Sequence, residues 1–193
     1  ANALASQSFS NAGSEWSSDN VAIGFSALNN TQPSTISNGI RNTAVGNFAL
    51  EANTTGYNNT AIGFQALHRN TTGYLNTAVG LGTLEFNDTG VSNVAIGFEA
   101  LQRNVDGESN TSIGARALTR IYTGSENTAI GRNAGFGSFD ISFDQCTFIG
   151  ASTNLSVSRT NVTMVGFGIT NAQCSGSAQV LLGNTAITQS ELR

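Results

Sequence analysis

Apolar and polar residues alternate in short bursts along this chain, and one burst returns at nearly constant intervals. Asn59-Thr60-Ala61-Ile62-Gly63 is repeated closely from Asn20, Asn42, Asn76, Asn93, Asn110 and Asn127. Weaker copies end at Gly150, Gly166 and Gly183, so ten glycines mark ten units, spaced 22, 17, 17, 17, 17, 17, 19, 16 and 17 residues apart. A fixed period of this length is the signature of a stacked array, each unit burying its apolar face only against its neighbours. The density of Gly, Asn and Thr excludes helix. The pattern therefore predicts an all-β fold, a parallel β-roll or β-helix solenoid of about ten 17-residue coils.

Each unit reads as turn, short strand, glycine corner and second apolar segment. The second segment is Ala49-Leu50, Ala66-Leu67, Ala100-Leu101 and Ala117-Leu118, with Thr83-Leu84 as a variant. A second glycine stands seven residues before the anchor, at Gly39, Gly56, Gly73, Gly90, Gly107, Gly124 and Gly176. It reads as a turn needing positive φ. Side chains alternate along a strand, so Thr60 and Ile62 share one face while Asn59 and Ala61 share the other. A coil this small has one interior. The expectation is that Ile62, its equivalents and Leu67 fill it, leaving the Ala61 face to pack against copies of the chain, with a three-fold bundle as the closed solution.

The organisation that follows is an N-terminal lead-in and cap over residues 1–19, with Trp16 covering the first coil, and a solenoid over residues 20–193. The solenoid is regular over residues 42–131 and degenerate over residues 132–193. The longer first step holds Pro33, the only proline, which reads as a surface loop. The insertion Phe136-Gly137-Ser138-Phe139-Asp140-Ile141-Ser142-Phe143-Asp144 alternates like a strand, and the last units replace Ala by Phe148, Met164 and Leu181, predicting a bulkier interface there.

Composition narrows the partners. With 193 residues the repeat fits one domain, and its 20 charged side chains, 8 basic and 12 acidic with a net charge of −4, form no basic patch for nucleic acid. The polar surface is expected to be Asn, Thr, Ser and Gln, whose amides stack without repulsion. No apolar run approaches the eighteen or so residues of a membrane helix, so no membrane insertion is expected. The opening Ala1-Asn2-Ala3-Leu4 lacks a basic region and reads as the start of a fragment or processed product. Cys146 and Cys174 define neither a disulfide framework nor a zinc site, and free, packed thiols are the default.

The Asn-Thr-Ala-Ile-Gly, Ala-Leu and Asn-Thr-Thr-Gly-Tyr phrases between Asn42 and Gly131 resemble the repeats of bacteriophage tail fibres and related bacterial tail-fibre-domain surface proteins. The Val21 to Gly24 and Val94 to Gly97 cores are similar to head repeats of trimeric autotransporter adhesins. Those heads are left-handed parallel β-rolls with three chains around a shared axis, from which this chain departs in its longer period. Val180 to Thr188 resembles the segment before the self-cleaving chaperone of phage fibres, and the absence of such a domain after Arg193 would fit its removal after assembly or a sequence cut at that point. The resemblance implies a homotrimeric structural and adhesive segment on a virion tail or extracellular cell surface. It would present or form a receptor-binding region for a host cell-surface glycan or protein receptor, joined to other fibre or virion proteins. Alternatives are a glycan-degrading tailspike-like enzyme and a bacterial trimeric surface adhesin.

Candidate chemistry is sparse, and no enzyme, cofactor or metal is expected. His68, the only histidine, sits beside Arg69 and reads as solvated, with no triad around it. Asp140 and Asp144 are the nearest carboxylate pair for glycan cleavage or calcium, but solubilising an apolar loop is the simpler reading. Gly135-Phe136-Gly137 and Gly166-Phe167-Gly168 lack the rest of a phosphate loop. Phe25, Phe64 and Phe98 recur at one position, which favours packing between coils over stacking on sugars. Phe136, Phe139, Asp140, Phe143 and Asp144 remain as the receptor-contact candidates.

Overall fold

The computed structural model describes residues 18–31, 33, 37–137, 142–170 and 176–183. It is an all-β parallel solenoid. Ten of its strands form one sheet in the order β1 (Val21–Ile23), β2 (Thr43–Val45), β3 (Thr60–Ile62), β4 (Thr77–Val79), β5 (Val94–Ile96), β6 (Thr111–Ile113), β7 (Thr128–Ile130), β9 (Thr147–Ile149), β11 (Val162–Val165) and β12 (Gln179–Leu182). A second ladder pairs β8 (Phe143–Asp144) with β10 (Arg159–Thr160). The register places Thr60 on Thr43 and Thr77, Ala61 on Ala44 and Ala78, and Ile62 on Val45 and Val79, so like residues stack on like.

The interior is the reverse of the one expected from alternation. Ala61 is 0% exposed whereas Ile62 is 40% exposed. Ala44, Ala61, Ala78, Ala95 and Ala129 line the inside of the sheet, and Leu28, Leu50, Leu67, Leu84, Leu101 and Leu118 fill the coil from the opposite corner, all fully buried. Leu67 was expected there; Ile62 was not. The reason is space. Each Leu stands four residues after the anchor glycine with φ of 48° to 51°, a left-handed corner that turns the side chain inward. With Leu inside, the sheet wall holds only a residue of Ala size. Burying such a Leu stabilises by about 1.5 to 3 kcal/mol.

The end of the solenoid shows the same volume rule. Phe148 takes the Ala position in β9, and Gly135 takes the Leu position in the coil before it. A Cβ on Gly135 would lie 2.6 Å from Leu118 Cδ2 and 2.9 Å from Phe148 Cδ2. Large and small have changed places across the coil. It is thus the interior, not an interface, that Phe148 and Met164 make bulkier, both being fully buried.

Two series of asparagines are structural and internal, while others such as Asn30, Asn47 and Asn161 are exposed, as expected of a polar surface. Each of Asn42, Asn59, Asn76, Asn93, Asn110 and Asn127 is buried. The Asn59 backbone N–H donates to Asn42 Oδ1 at 3.0 Å, and the Asn59 side-chain amide donates to the Gly73 carbonyl at 2.8 Å. The pattern recurs coil by coil until Cys146, whose N–H donates to Asn127 Oδ1. A second buried ladder passes from Asn53 through Asn70 and Asn87 to Asn104, each side-chain amide donating to the Oδ1 of the Asn one coil earlier. It ends where the next coil presents Ile121, leaving Asn104 Oδ1 buried without a hydrogen-bond partner. Satisfied buried amides are the condition under which so polar a sequence can form a core at all.

The second glycine is needed for closeness rather than for positive φ. Gly39 alone of that series has φ in the left-handed region. At Gly73 a Cβ would lie 2.3 Å from Asn70 Oδ1 and 2.5 Å from the Gly90 carbonyl oxygen, so the Asn ladder and the next coil occupy that space. Left-handed corners fall instead on residues such as Leu67, Gln65 and Leu75. Pro33, expected in a surface loop, is buried. Trp16 and its capping role lie outside the described residues.

Candidate functional site

Of the receptor-contact candidates, Phe136, Phe143 and Asp144 are described. Phe143 is fully buried, its ring 5.1 Å from that of Phe148, so it belongs to the core and not to a contact surface. Alternation along β8 turns Asp144 the other way, and its Oδ1 accepts the Ser125 N–H at 3.0 Å. Phe136 is half-buried, with the Arg120 guanidinium carbon 4.3 Å above its ring centre. Phe139 and Asp140 lie outside the described residues, and with them the proposed carboxylate pair. His68 is half-buried, its Nδ1 3.3 Å from both the Phe48 carbonyl and Glu51 Oε2.

Cys146 is a buried free thiol whose pKa is raised, chiefly by burial. Cys174 lies outside the described residues. Among the described residues no group of three or more His, Cys, Asp or Glu could hold a metal ion, and no helix is long and apolar enough to cross a membrane.

Two surfaces stand out instead. The first is the outer face of the long sheet, where Ile23, Ile62, Ile96, Ile113, Ile130, Ile149 and Leu182 are exposed and half-buried Val45, Val79 and Val165 complete the column. Phe25, Phe64, Leu81, Phe98 and Phe167 flank it from the position after five of the ten anchor glycines and are also exposed. Phe48 joins Phe25 and Phe64 edge to face, at 5.4 and 5.9 Å between ring centres. Inter-coil packing thus holds for that end of the aromatic series, but the rings are not enclosed.

The second is a groove of about 360 Å³ lined by Arg69, Thr71, Phe86, Asp88, Arg103, Val105 and Tyr122. Two columns of the repeat build it. Arg69, Phe86, Arg103 and Arg120 stand 17 residues apart, and so do Thr71, Asp88, Val105 and Tyr122. Between the columns in sequence stand Asn70, Asn87 and Asn104, whose side chains are buried inside the coil. Backbone bonds fix the walls: Phe86 N–H donates to the Gln102 carbonyl at 2.9 Å, and Asp88 N–H to the Val105 carbonyl at 2.8 Å. The Arg69 and Arg103 guanidinium carbons lie 4.8 and 5.8 Å from the Phe86 ring centre. Arg103 Nη1 donates to Tyr122 Oη at 2.8 Å, and the Thr71 hydroxyl donates to Asp88 Oδ1. Reading the repeat down its columns, rather than along its phrases, is the signal that would have shown this groove in the sequence.

No protein-family model, curated protein or solved structure matches this chain. The parallel β-solenoid is a fold compatible with structural, adhesive and enzymatic roles alike.

Proposed function

We propose that this chain is a homotrimeric, non-enzymatic fibre segment on a phage tail or cell surface, presenting or forming a receptor-binding region. The observation that carries the reading is the outer Ile and Val ladder. Ten strands at about 4.8 Å spacing make a face roughly 43 Å long, and three residues with a flanking Phe make it about 12 Å wide. The Ile and Val column with its flanking Phe, beside a column of Thr, is a contiguous apolar patch on the order of a few hundred Å², a size at which such patches are often functional. A straight face built from identical rungs is matched best by other copies of itself, and the resemblance of the repeat phrases supplies the number three. Copies therefore meet through the Ile62 face, not through the Ala61 face expected from the sequence.

Light scattering at micromolar concentration is expected to give three times the 20.0 kDa chain mass. Replacing Ile62, Ile96 and Ile130 together by Asp is expected to yield a folded monomer, since each carboxylate points to solvent in the single chain but to the shared axis in the assembly. Ala95→Asp is expected to unfold the coil, because it buries a charge with no cation near it at a cost of several kcal/mol. A well-folded wild-type monomer would sink the shared-axis reading. Adsorption of the fibre to host cells, measured for trimer and Asp-substituted monomer, tests the adhesive role.

A further inference from the structure

We propose that the groove over Phe86, between Arg69 and Arg103, binds a carboxylated saccharide, a glycan whose sugar rings carry a carboxylate. This deepens the adhesive reading and rests on it. The charge inventory is the first argument. All eight basic residues are arginine, and three of them, Arg69, Arg103 and Arg120, occupy one column of the repeat in a chain of net charge −4. A guanidinium stacked on an aromatic ring, as Arg69 is over Phe86, is held in a fixed plane, and its planar fork suits carboxylate; Arg103 gives one of its N–H groups to Tyr122.

The second argument is what else lines the groove. Asp88 puts a carboxylate beside the two guanidiniums, which disfavours a phosphate-rich chain but suits a ligand carrying one anion and several hydroxyls. Asp88 accepts the Thr71 hydroxyl through one oxygen, and its other oxygen suits a sugar hydroxyl. Phe86 holds the two guanidiniums in place, and Tyr122 with Val105 supplies the apolar body over which the C–H face of a sugar ring packs. A third argument is continuity. Arg120, over Phe136, extends the same column by one coil, so a chain lying along the rod meets arginine and aromatic side chains at successive rungs. Inter-coil backbone hydrogen bonds hold the walls, so little ordering accompanies binding.

The test uses the whole chain and three probes, oligogalacturonate, oligosialate and oligomannuronate, each against its neutral methyl ester, with inorganic polyphosphate alongside. Titration calorimetry or NMR shift mapping is expected to show binding of at least one acidic oligomer and at least tenfold weaker binding of its ester. Arg69→Ala and Arg103→Ala are each expected to weaken it tenfold or more, and Phe86→Ala to weaken it with no change of charge. Arg41→Ala removes the same charge far along the chain and is expected to leave binding unchanged.

Failure of all three acidic oligomers to bind, equal binding of acid and ester, tighter binding of polyphosphate, or an equal loss in Arg41→Ala would each overturn the proposal. Mass and cell adsorption are measured on the same preparations. A trimer that adsorbs but binds no acidic oligomer overturns the groove and leaves the fibre reading standing, whereas a monomer that binds none removes both.

Discussion

Phe148→Ala tests the volume rule that sets the inside of the coils. Phe148 is fully buried against Phe143 and approaches Gly135, so truncation leaves a cavity between them. Such a change costs about 3 to 5 kcal/mol. For a chain of this length that lowers the melting temperature by about 6 to 20 °C. Gly135→Leu alone drives a side chain into Leu118 and Phe148 and costs about 1 to 3 kcal/mol or more. The double variant instead recreates the Ala-and-Leu pairing of the regular coils, and Gly135 already has φ of 61°, near the 51° of Leu101. It is expected to be more stable than Phe148→Ala, with a coupling energy of at least about 2 kcal/mol in a double-mutant cycle. Thermal melting at one fixed protein concentration measures it, because association raises the apparent stability. Strict additivity of the two substitutions would refute the shared-volume reasoning.

Three further outcomes follow from the same geometry. Gly73→Ala is expected to cost at least about 3 kcal/mol by overpacking, while Gly82→Ala, with φ of 62° and no atom within 3.5 Å of its Cβ position, costs about 1 kcal/mol; urea unfolding compares them. Asn76→Ala removes the acceptor of the Asn93 N–H and the donor to the Gly90 carbonyl, so a loss of about 2 to 5 kcal/mol is expected, against little change for exposed Thr89→Ala. Cys146 is an acid whose folded pKa is raised, so the unfolded chain loses its proton first. Stability is then complete below the unfolded value of about 8.5 and falls as pH rises through it. Melting curves between pH 7 and 10 are expected to decline more steeply for the wild type than for Cys146→Ala, and parallel curves would contradict the burial of the thiol.

The sequence by itself determined the class of the fold, because a period that recurs through ten glycines admits only a stacked array, and the pairing of Thr with Thr, Ala with Ala and Ile with Val or Ile follows from that period alone. It also determined that Asn59 shares a face with Ala61. Which of the two faces is inside was decided by tertiary structure. Hydrophobicity ranks Ile above Ala, but the coil closes through left-handed corners at Leu50, Leu67 and Leu101, and nothing about leucine announces a positive φ. Once those side chains fill the coil, the wall opposite them holds only Ala, and Ile is turned out. The same limit applies to Gly73, whose need is room for a neighbouring coil rather than a turn, and to Phe143, whose place in an apolar, alternating segment does not reveal which way the strand faces. The groove over Phe86 was written in the repeat all along, but its residues lie 17 apart in sequence, and only the stacking of coils makes them neighbours.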